Sequence, residues 1–406
     1  MTQISHNQVV GEHSKLGSYR FVIAALVLLA HLGVGVNFFV VSPLLPIVIQ
    51  DYGISRATAG LLIALALLVA ATFGLPGGAL ISRLGLGRVF TVGGFMMALL
   101  ALSPLASNFP ELLALRMGFG VGFALVLTST GPLLMQWFST KEILVMTSLN
   151  TAMISLGIAL SLSTAAPIAV AVGWENALGI FGGVALLSAV AWLVWGRTAN
   201  SPTEDAAPRL SFKEIYGVLN SRAIILLVAA DAGVLIQYTA LTSWLPTFYN
   251  EARGFSLPQA GFITGLIPWI GVFAVLLGGF LPAKVGGKRL FFIIPGIMVA
   301  LGGPGSFLMN DLTGIHVAIV LLGIGSWLYV PLLLSLPMEF PEMTPEKVAT
   351  VWGAFVTIGG IGMFVSPLLV GTLRDISGDF YLGFIVCSVA AWSLLAAGIW
   401  IPKRNF

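Results

Sequence analysis

Two charged side chains, Asp231 and Arg116, lie well inside long apolar stretches, whereas nearly every other charged residue lies at the end of such a stretch. An ionisable group inside hydrocarbon is costly unless it faces a polar cavity or a partner, so both are candidate functional residues. Asp231 comes nine residues after Arg222, which is about 13 Å along a helix. A carboxyl group at that depth could carry a proton or pair with a cationic solute, or it could make a structural hydrogen bond to a neighbouring helix.

His31 precedes Asp231 by 200 residues and occupies a similar position in another apolar stretch. The two side chains could share a proton, or His31 could be a neutral histidine that is satisfied in the core. Arg116 lies about six residues from the end of its stretch, so its guanidinium could snorkel to the interface or pack between helices. We expect the proton-handling residues to be Asp231, His31 and Arg116.

A second set of candidates consists of polar and aromatic side chains that could bind a solute. These residues are Asn37, Gln237, Tyr238, Thr242, Thr130, Asn150 and Tyr329. Tyr238 and Thr242 follow Asp231 by seven and eleven residues, so helical spacing places all three on one face. An aromatic ring beside a carboxylate suits an organic cation or a flat neutral molecule.

The composition indicates which elements position these residues. Of 406 residues, 58% are hydrophobic and 9% are charged, whereas about a quarter of the residues in a soluble domain are charged. Twelve apolar runs are long enough to cross a bilayer, which takes about 20 helical residues. We expect them at about 20–49, 57–82, 88–107, 110–138, 143–172, 174–196, 222–250, 258–282, 289–309, 313–337, 347–373 and 380–401. The runs are continuous rather than alternating, which predicts helices.

The chain is a tandem duplication, because the stretch 31–88 matches the stretch 231–289 in register. The offset changes from 200 to 201 along the match, which we attribute to one residue inserted in the loop between Pro46 and Gly53. Each half has an even number of runs, so the repeat is parallel, with its axis along the membrane normal. The sequence therefore predicts an all-α membrane protein with 12 transmembrane helices in two parallel six-helix repeats.

Basic residues predict the orientation. Fifteen Lys and Arg residues lie near span ends on the side of the two termini, and three lie on the other side. The positive-inside rule then places both termini in the cytoplasm and the protein in the cytoplasmic (inner) membrane. The net charge of +3 reflects this topology and indicates no nucleic-acid partner. The expected units are an N-terminal tail (1–19), an N-terminal bundle (20–196), a cytoplasmic linker (197–221), a C-terminal bundle (222–401) and a C-terminal tail (402–406).

The loop after the second run resembles a signature of the major facilitator superfamily. Residues 78–88 read GALISRLGLGR, similar to the family's GxxxDRxGRR, and a degenerate copy occupies 279–289. Ser82 stands where the family has an aspartate, so the resemblance does not extend to the charge-relay latch ascribed to that acid. The fourth run adds RMGFGVG at 116–122, similar to the family's RxxxGxG. The resemblance implies a cytoplasmic gate formed by Gly78, Arg83, Gly85, Arg88, Lys284 and Arg289.

The resemblance also implies a secondary transporter with a solute site near the midplane between its halves, opened to each side in turn. In this family, equivalent positions on the first and seventh helices face each other, which would bring His31 towards Asp231. Proton antiporters of the family use the position of Arg116 in coupling. We therefore expect proton-coupled transport, as symport or antiport, of a small organic solute by a monomer in the lipid bilayer, without cofactor or metal.

Several alternatives stay open. Residues 132–138 (PLLMQWF) and 43–46 (PLLP) loosely resemble the cyanate and nitroimidazole-type branch of the family. An apolar cavity with one acid would also suit proton-driven efflux of lipophilic or cationic compounds. Nitrate transport is not expected, because 57–81 and 258–282 contain no arginine. A non-transporting membrane receptor is the alternative from another class. An enzyme is not expected, since the sequence has no metal-ligand cluster and no nucleotide-binding loop.

Overall fold

The computed structural model describes residues 17–198, 212–340 and 343–401, and every regular element within them is a helix. Twelve helical spans are long and apolar enough to cross a membrane, so the predicted all-α, twelve-span fold is confirmed. In order, the spans are Tyr19–Phe38 with Leu45–Tyr52, Arg56–Leu84, Leu86–Met97 with the 3₁₀ segment Ala98–Leu105, Phe109–Trp137, Thr140–Val172, Trp174–Trp195, Arg222–Arg253, Leu257–Val285, Leu290–Leu308, Leu312–Trp327 with Val330–Ser335 and the 3₁₀ segment Leu336–Glu339, Pro345–Ser377, and Tyr381–Ala390 with Trp392–Trp400.

The loops lie on two sides of the bundle. We call the side of the loops that follow odd-numbered spans the odd-loop side, and the opposite side the even-loop side. The first span begins and the twelfth ends on the even-loop side, because the number of spans is even. The predicted linker 197–221 lies there and contains a short helix, Phe212–Leu219. Its residues 199–211, and residues 1–16 and 402–406 of the predicted tails, lie outside the described part of the chain.

The first span is broken near its middle. Its first helix ends at Phe38, a 3₁₀ turn follows at Ser42–Leu44, and a second helix runs over Leu45–Tyr52. Pro43 and Pro46 have no backbone N–H group, so neither can donate to the carbonyl four residues earlier and the α-helical ladder stops. The break leaves the last carbonyl groups of the first helix without helical donors.

The two halves end equivalent spans in the same way. Gly53 and Gly254 take left-handed conformations, with φ of 61° and 69°, directly after the first and seventh spans. Glycine has no Cβ atom to clash in this conformation, so it suits a helix C-terminus. The expectation that the repeat slips in a loop is wrong. The stretch after Pro46 is helical, and the seventh span has one more helical residue between Pro246 and its glycine cap.

Two pairs of long helices pack the halves together, the second span against the eleventh and the fifth against the eighth. Small residues let these backbones approach closely. A Cβ atom on Gly261 would lie 2.5 Å from the carbonyl oxygen of Leu162, and one on Gly371 would lie 2.9 Å from that of Arg56. Neither position has room for a side chain, and both contacts are near the odd-loop side.

A serine hydroxyl joins the halves just beyond the break in the first span. Ser42 Oγ donates to the carbonyl oxygens of Thr242, at 2.5 Å, and Ser243, at 2.7 Å. Pro246 lies four residues after Thr242 inside the seventh span and has no N–H group to offer that carbonyl. Ser42 therefore supplies, from the other half, the donor that the seventh span lacks.

A cluster of charges closes the odd-loop side between the halves. Arg56 Nη2 lies 2.8 Å from each carboxylate oxygen of Glu251, and Arg374 lies 3.5 Å from the same carboxylate. The carboxylate of Asp375 accepts from the backbone N–H groups of Arg56, at 3.3 Å, and Ala57, at 2.9 Å, at the start of the second span. In this conformation the halves are thus held together on the odd-loop side.

We expect Glu251→Gln to loosen this closure, because it removes the charge that Arg56 and Arg374 share. Partly exposed ion pairs contribute up to about 1 kcal/mol, which corresponds to a change of up to about fivefold in the population of separated halves. The measurement is the rate at which a membrane-impermeant maleimide labels Ser163→Cys, in a Cys387→Ser background, from the odd-loop side. Ser163 lies against Gly265 of the other half, so it should react when the halves separate.

Lys288→Gln is the matched control, because it removes an ion pair with Glu339 that lies within the second half on the even-loop side. Labelling should be faster in Glu251→Gln and unchanged in Lys288→Gln. Equal rates in the two variants would contradict a role for the charge cluster in closure.

Candidate functional site

Asp231 lies in the seventh span, and its two carboxylate oxygens face different neighbours. The Tyr329 hydroxyl of the tenth span donates to Oδ1 over 3.1 Å. Gly359 of the eleventh span adjoins Oδ2, since a Cβ atom added to this glycine would lie 3.7 Å from that oxygen. Tyr329 is buried, whereas Asp231 is partly accessible. The carboxyl group therefore combines a fixed hydrogen bond with room to exchange a proton.

Aromatic rings from both halves meet farther along the seventh span, around Tyr238. Tyr238 is edge-on to Trp327, with ring centroids 5.6 Å apart, and edge-on to Phe39 of the first half at 6.1 Å. Trp327 and Tyr329 are two residues apart, where the tenth span passes from one helix to the next. Only Trp327 is thereby close in sequence to Tyr329, the residue that bonds to Asp231, and the faces and edges of the rings can pack against a flat molecule.

His31 has a partner of its own. The side chain is 2% exposed, and Nδ1 lies 2.8 Å from the carbonyl oxygen of Val27, one turn earlier on the same helix. Asp231 accepts from Tyr329 instead. In this conformation no direct hydrogen bond joins the two groups, so proton sharing between His31 and Asp231 stays a prediction.

Arg116 binds the end of the broken first span. It is 1% exposed and donates to the carbonyl oxygens of Leu62 (2.7 Å), Asn37 (2.6 Å) and Phe38 (3.0 Å). Its guanidinium carbon also lies 5.0 Å from the ring centroid of Phe119. Two of the three carbonyls are those that the break leaves without helical donors. The guanidinium therefore holds the first, second and fourth spans together, and proton coupling through Arg116 stays a prediction.

Asn37 and Gln237, which occupy equivalent positions in the repeat, both turn into their own halves. The Asn37 amide donates to the carbonyl oxygen of Phe181 in the sixth span at 3.0 Å. The Gln237 amide donates to that of Val299 in the ninth span at 3.2 Å. The two amides hold different neighbouring helices, and neither of these contacts brings its side chain to Asp231.

The other predicted solute-binding residues have mixed placements. Thr242 donates to the carbonyl oxygen of Tyr238 on its own helix, within the aromatic group. Thr130 donates to that of Val126 in the fourth span at 2.8 Å. Asn150 is buried in the fifth span, and its Oδ1 has no partner among the described residues. Tyr329 thus contacts Asp231, Tyr238 and Thr242 lie farther along the same helix, and Asn150 offers a free amide oxygen.

The predicted gate residues lie at or near the even-loop ends of four spans. They are Gly78, Arg83, Gly85, Arg88, Lys284 and Arg289. The Arg289 guanidinium donates to the carbonyl oxygens of Gly398 and Ile399, so it holds the end of the twelfth span. The other three basic residues are exposed.

Sequence reasoning misses the residues that close the odd-loop side. Arg56 and Glu251 are 195 residues apart and meet only in the folded protein. A charge at the end of a span is ordinary in a membrane protein, so neither residue stands out. The available signal is that opposite charges occur at the odd-loop ends of the two halves.

Comparison with known proteins agrees with this geometry. The family model described as Major Facilitator Superfamily matches residues 27–367. The 4-hydroxybenzoate transporter PcaK of Pseudomonas aeruginosa is 26% identical over 90% of this chain and 88% of its own. The probable nitrate transporter NarT of Staphylococcus carnosus is 22% identical over 90% of this chain and 92% of its own. These relatives do not support the cyanate and nitroimidazole-type branch.

A solved structure shares the fold. The crystal structure of a bacterial homologue of the human lysosomal transporter Spinster, in an inward-facing and unoccupied conformation, matches with a TM-score of 0.73 over 95% of both chains. The sequence identity is 17%, so this likeness shows the fold alone.

We expect Arg116→Lys to destabilise the protein. A lysine ammonium keeps the charge but cannot present N–H groups to three separated carbonyls as a guanidinium does. Each buried carbonyl that loses its donor costs about 1–3 kcal/mol, so unfolding in detergent should occur at a clearly lower temperature. Arg20→Lys is the matched control, because Arg20 is partly exposed and pairs with a single carboxylate, that of Glu142. Wild-type melting of Arg116→Lys would contradict the structural role of the guanidinium.

Proposed function

The chain belongs to the major facilitator superfamily and is a solute transporter, and we propose that it moves a small organic solute with proton coupling through Asp231. Alternating access requires that the site open to one side at a time. On the odd-loop side, the contacts of Ser42 with Thr242 and of Arg56 with Glu251 between the halves are polar. Such contacts can be exchanged for water when the halves rock, which supports this mechanism.

The observation that carries the proposal is the Asp231 carboxyl group. It lies nine residues from the even-loop end of the seventh span, bonded to Tyr329 through one oxygen and with the other oxygen beside Gly359. Ionisable groups at such depths commonly carry protons or bind ions. The ionised carboxylate accepts from the Tyr329 hydroxyl, and the protonated acid can keep that contact or donate to the same hydroxyl. Proton binding therefore does not require the hydrogen bond between Asp231 and Tyr329 to break.

The charge of the solute decides the direction of coupling. A carboxylate solute near Asp231 is repelled by the ionised side chain and tolerated by the protonated one, because like charges at close range disfavour ionisation. Anion and proton then bind together and move together, as in symport. A cationic solute competes with the proton for the same carboxylate, so the two would move in opposite directions.

We favour an aromatic carboxylate as the solute. Tyr238, Trp327 and Phe39 form a group of aromatic rings on the odd-loop side of the acid, and the relative PcaK is named for 4-hydroxybenzoate. A small inorganic anion would need a counter-charge. The donors of Arg116 are directed at backbone carbonyls, and the second and eighth spans have no arginine in their middle parts, so nitrate fits less well.

Proton-driven efflux of lipophilic cations is the second candidate, and one feature favours it. An apolar groove of about 590 Å³ lies between the seventh and eleventh spans, lined by residues that include Val228, Gly353 and Thr357. Val228 is one helical turn from Asp231, so an apolar molecule in the groove would place a cationic head near the carboxylate.

The proposed orientation has the even-loop side in the cytoplasm, since basic residues are concentrated there. The closed odd-loop side then faces outward. We propose that the protein acts as a monomer in the cytoplasmic membrane.

We expect Asp231→Asn to abolish accumulation of radiolabelled 4-hydroxybenzoate driven by a pH gradient in proteoliposomes, while exchange of internal for external solute continues. Asparagine can still accept from Tyr329 but cannot bind a proton. Coupling is therefore lost, whereas the solute site keeps its shape.

Tyr329→Phe is the matched control, because it removes the hydrogen bond and keeps the acid. This variant should still accumulate solute above the external concentration, at a reduced rate. Undiminished accumulation in Asp231→Asn would remove Asp231 from the coupling role.

We also expect 4-hydroxybenzoate to raise the melting temperature of the purified protein. A ligand at a hundred times its dissociation constant adds about 2.7 kcal/mol to the stability of the folded state, so a titration should resolve the shift. Nitrate and tetraphenylphosphonium are tested in parallel. Stabilisation by tetraphenylphosphonium that Asp231→Asn erases would favour efflux, and stabilisation by nitrate alone would contradict an organic solute.

A further inference from the structure

Four buried hydroxyl groups between the seventh and eleventh spans have no role in the scheme above. Thr239, Ser243 and Thr247 are each 0% exposed, and Ser366 is 1% exposed. None of their hydroxyls has a hydrogen-bond partner among the described residues. Buried polar groups in proteins are nearly always hydrogen-bonded, so these four point to partners other than protein atoms.

Several other buried hydroxyls are satisfied on their own helices, whereas those of Ser129, Ser326 and Ser388 also have no partner among the described residues. Thr130, Thr264 and Ser188 each donate to a carbonyl oxygen three or four residues earlier, over 2.7–2.9 Å. That bond is open to any serine or threonine in a helix. The four hydroxyls do not make it, so they are free to bond elsewhere.

The four residues lie along one seam, where the seventh and eleventh spans run side by side in the same direction. A Cβ atom on Gly362 would lie 2.7 Å from Ile236 Cγ1, and the Trp244 indole donates to the carbonyl oxygen of Pro367 at 2.8 Å. These contacts mark two levels of the seam. Between or beside them lie Thr239, Ser243 and Ser366.

On the seventh span, the hydroxyls belong to a ridge of residues four apart, which winds slowly around a helix. The ridge begins at Asp231, passes the three hydroxyls, and ends at Glu251 on the odd-loop side. The eleventh span follows it, because Gly359 adjoins Asp231 and Arg374 lies 3.5 Å from Glu251. Twenty residues at about 1.5 Å each give the ridge a length of about 30 Å.

The spacing of the hydroxyls suits bridging water. Residues four apart rise by about 6 Å along a helix, and one water that makes two hydrogen bonds of about 2.8 Å spans nearly that distance. A water molecule inside a protein needs two or more polar partners, and neighbouring hydroxyls on the ridge supply them.

We propose that this seam is a proton path from the odd-loop side to Asp231, formed by Thr247, Ser243, Ser366 and Thr239 with the water that they bind. The inference rests on the proposed role of Asp231 as the proton-binding group. Each hydroxyl or water accepts one proton and gives up another, so the excess proton ends on the carboxylate as a neutral acid. Tyr329 is the titratable side chain bonded to Asp231, and Arg56 and Arg374 face Glu251 at the other end.

Leu235 interrupts the path one turn before Asp231. It occupies the ridge position between Asp231 and Thr239 and packs against Gly359, where an added Cβ atom would lie 2.7 Å from its Cδ1. An apolar side chain cannot hold water, so the path is broken in this conformation. A coupled transporter needs such a break, because a continuous path would let protons cross without solute. The path becomes continuous when Leu235 moves away from Gly359 through a rearrangement of the seventh and eleventh spans within the second half.

The test replaces the interruption with a hydroxyl. Vesicles that contain Leu235→Ser, loaded with a pH-sensitive dye, should dissipate an imposed pH gradient about tenfold or more faster than wild type, because a protonable group now bridges the gap. Valinomycin and potassium carry the compensating charge, and no solute is present. Leu241→Ser is the matched control, since Leu241 is also 0% exposed on the seventh span but lies off the ridge. Vesicles that contain Leu241→Ser should dissipate the pH gradient no faster than wild type.

The hydroxyls are then removed in the Leu235→Ser background. Adding Thr239→Val and Ser243→Ala should return the rate of pH-gradient dissipation to that of wild type. Adding Thr264→Val, which removes a buried hydroxyl from the eighth span, should leave the leak unchanged, and so should Thr239→Ser, which keeps a hydroxyl. Leu235→Thr keeps more side-chain volume and replaces Leu235→Ser if that variant does not fold.

A folded Leu235 variant that is as tight as wild type would overturn the proposal, and so would a leak that persists without the hydroxyls. These outcomes are distinct from failure of the proposed function. If Asp231→Asn abolishes accumulation while Leu235→Ser stays tight, the coupling group stands and this path does not. If Asp231→Asn spares accumulation, the coupling proposal fails, whatever the leak shows.

Discussion

A backbone carbonyl in hydrocarbon needs a donor, and proline interrupts the helical supply of donors at two places, one inside the first half and one at the contact between the halves. Pro43 and Pro46 break the first span, and the carbonyls before the break are taken by Arg116. Pro246 leaves Thr242 without its helical donor, and the Ser42 hydroxyl of the first half supplies one. The Arg116 contacts hold the first span within its own half. The Ser42 contact joins the two halves. Closure of the odd-loop side therefore gives the Thr242 carbonyl a hydrogen-bond donor that the seventh span cannot supply.

This arrangement suits a structure that must open and close. A hydroxyl that bridges two carbonyls can be replaced by water when the odd-loop side is hydrated, so opening there leaves no buried group unsatisfied. The Arg116 contacts have no such substitute, because they lie within one half and are fully buried. The same chemical requirement thus gives a permanent contact inside a half and an exchangeable one between halves. The partly exposed cluster around Glu251 belongs to the exchangeable kind.

The sequence predicts those features that the bilayer itself imposes. Span number follows from the length of apolar runs, and Asp231 stands out because a charge is costly in hydrocarbon. Periodicity places Tyr238 on the face of Asp231, but it does not say which neighbouring helix an amide meets. The sequence therefore does not predict that the Asn37 and Gln237 amides donate hydrogen bonds within their own halves. The role of Arg116 depends on carbonyls from two other spans, and the closing pairs join residues about two hundred positions apart, which one sequence without relatives cannot reveal.

The duplicated scaffold is used differently in its two halves. Two hundred residues before the three ridge hydroxyls, the first half has Phe39, Pro43 and Ile47, none of which can hold water. Its first and fifth spans also meet backbone to backbone, since a Cβ atom on Gly157 would lie 2.6 Å from the backbone nitrogen of Val36. The His31 side chain is buried, whereas the Asp231 side chain is partly accessible. Divergence after duplication has therefore left the first half closely packed at these positions, whereas the second half has hydroxyl groups there and a partly accessible carboxyl group.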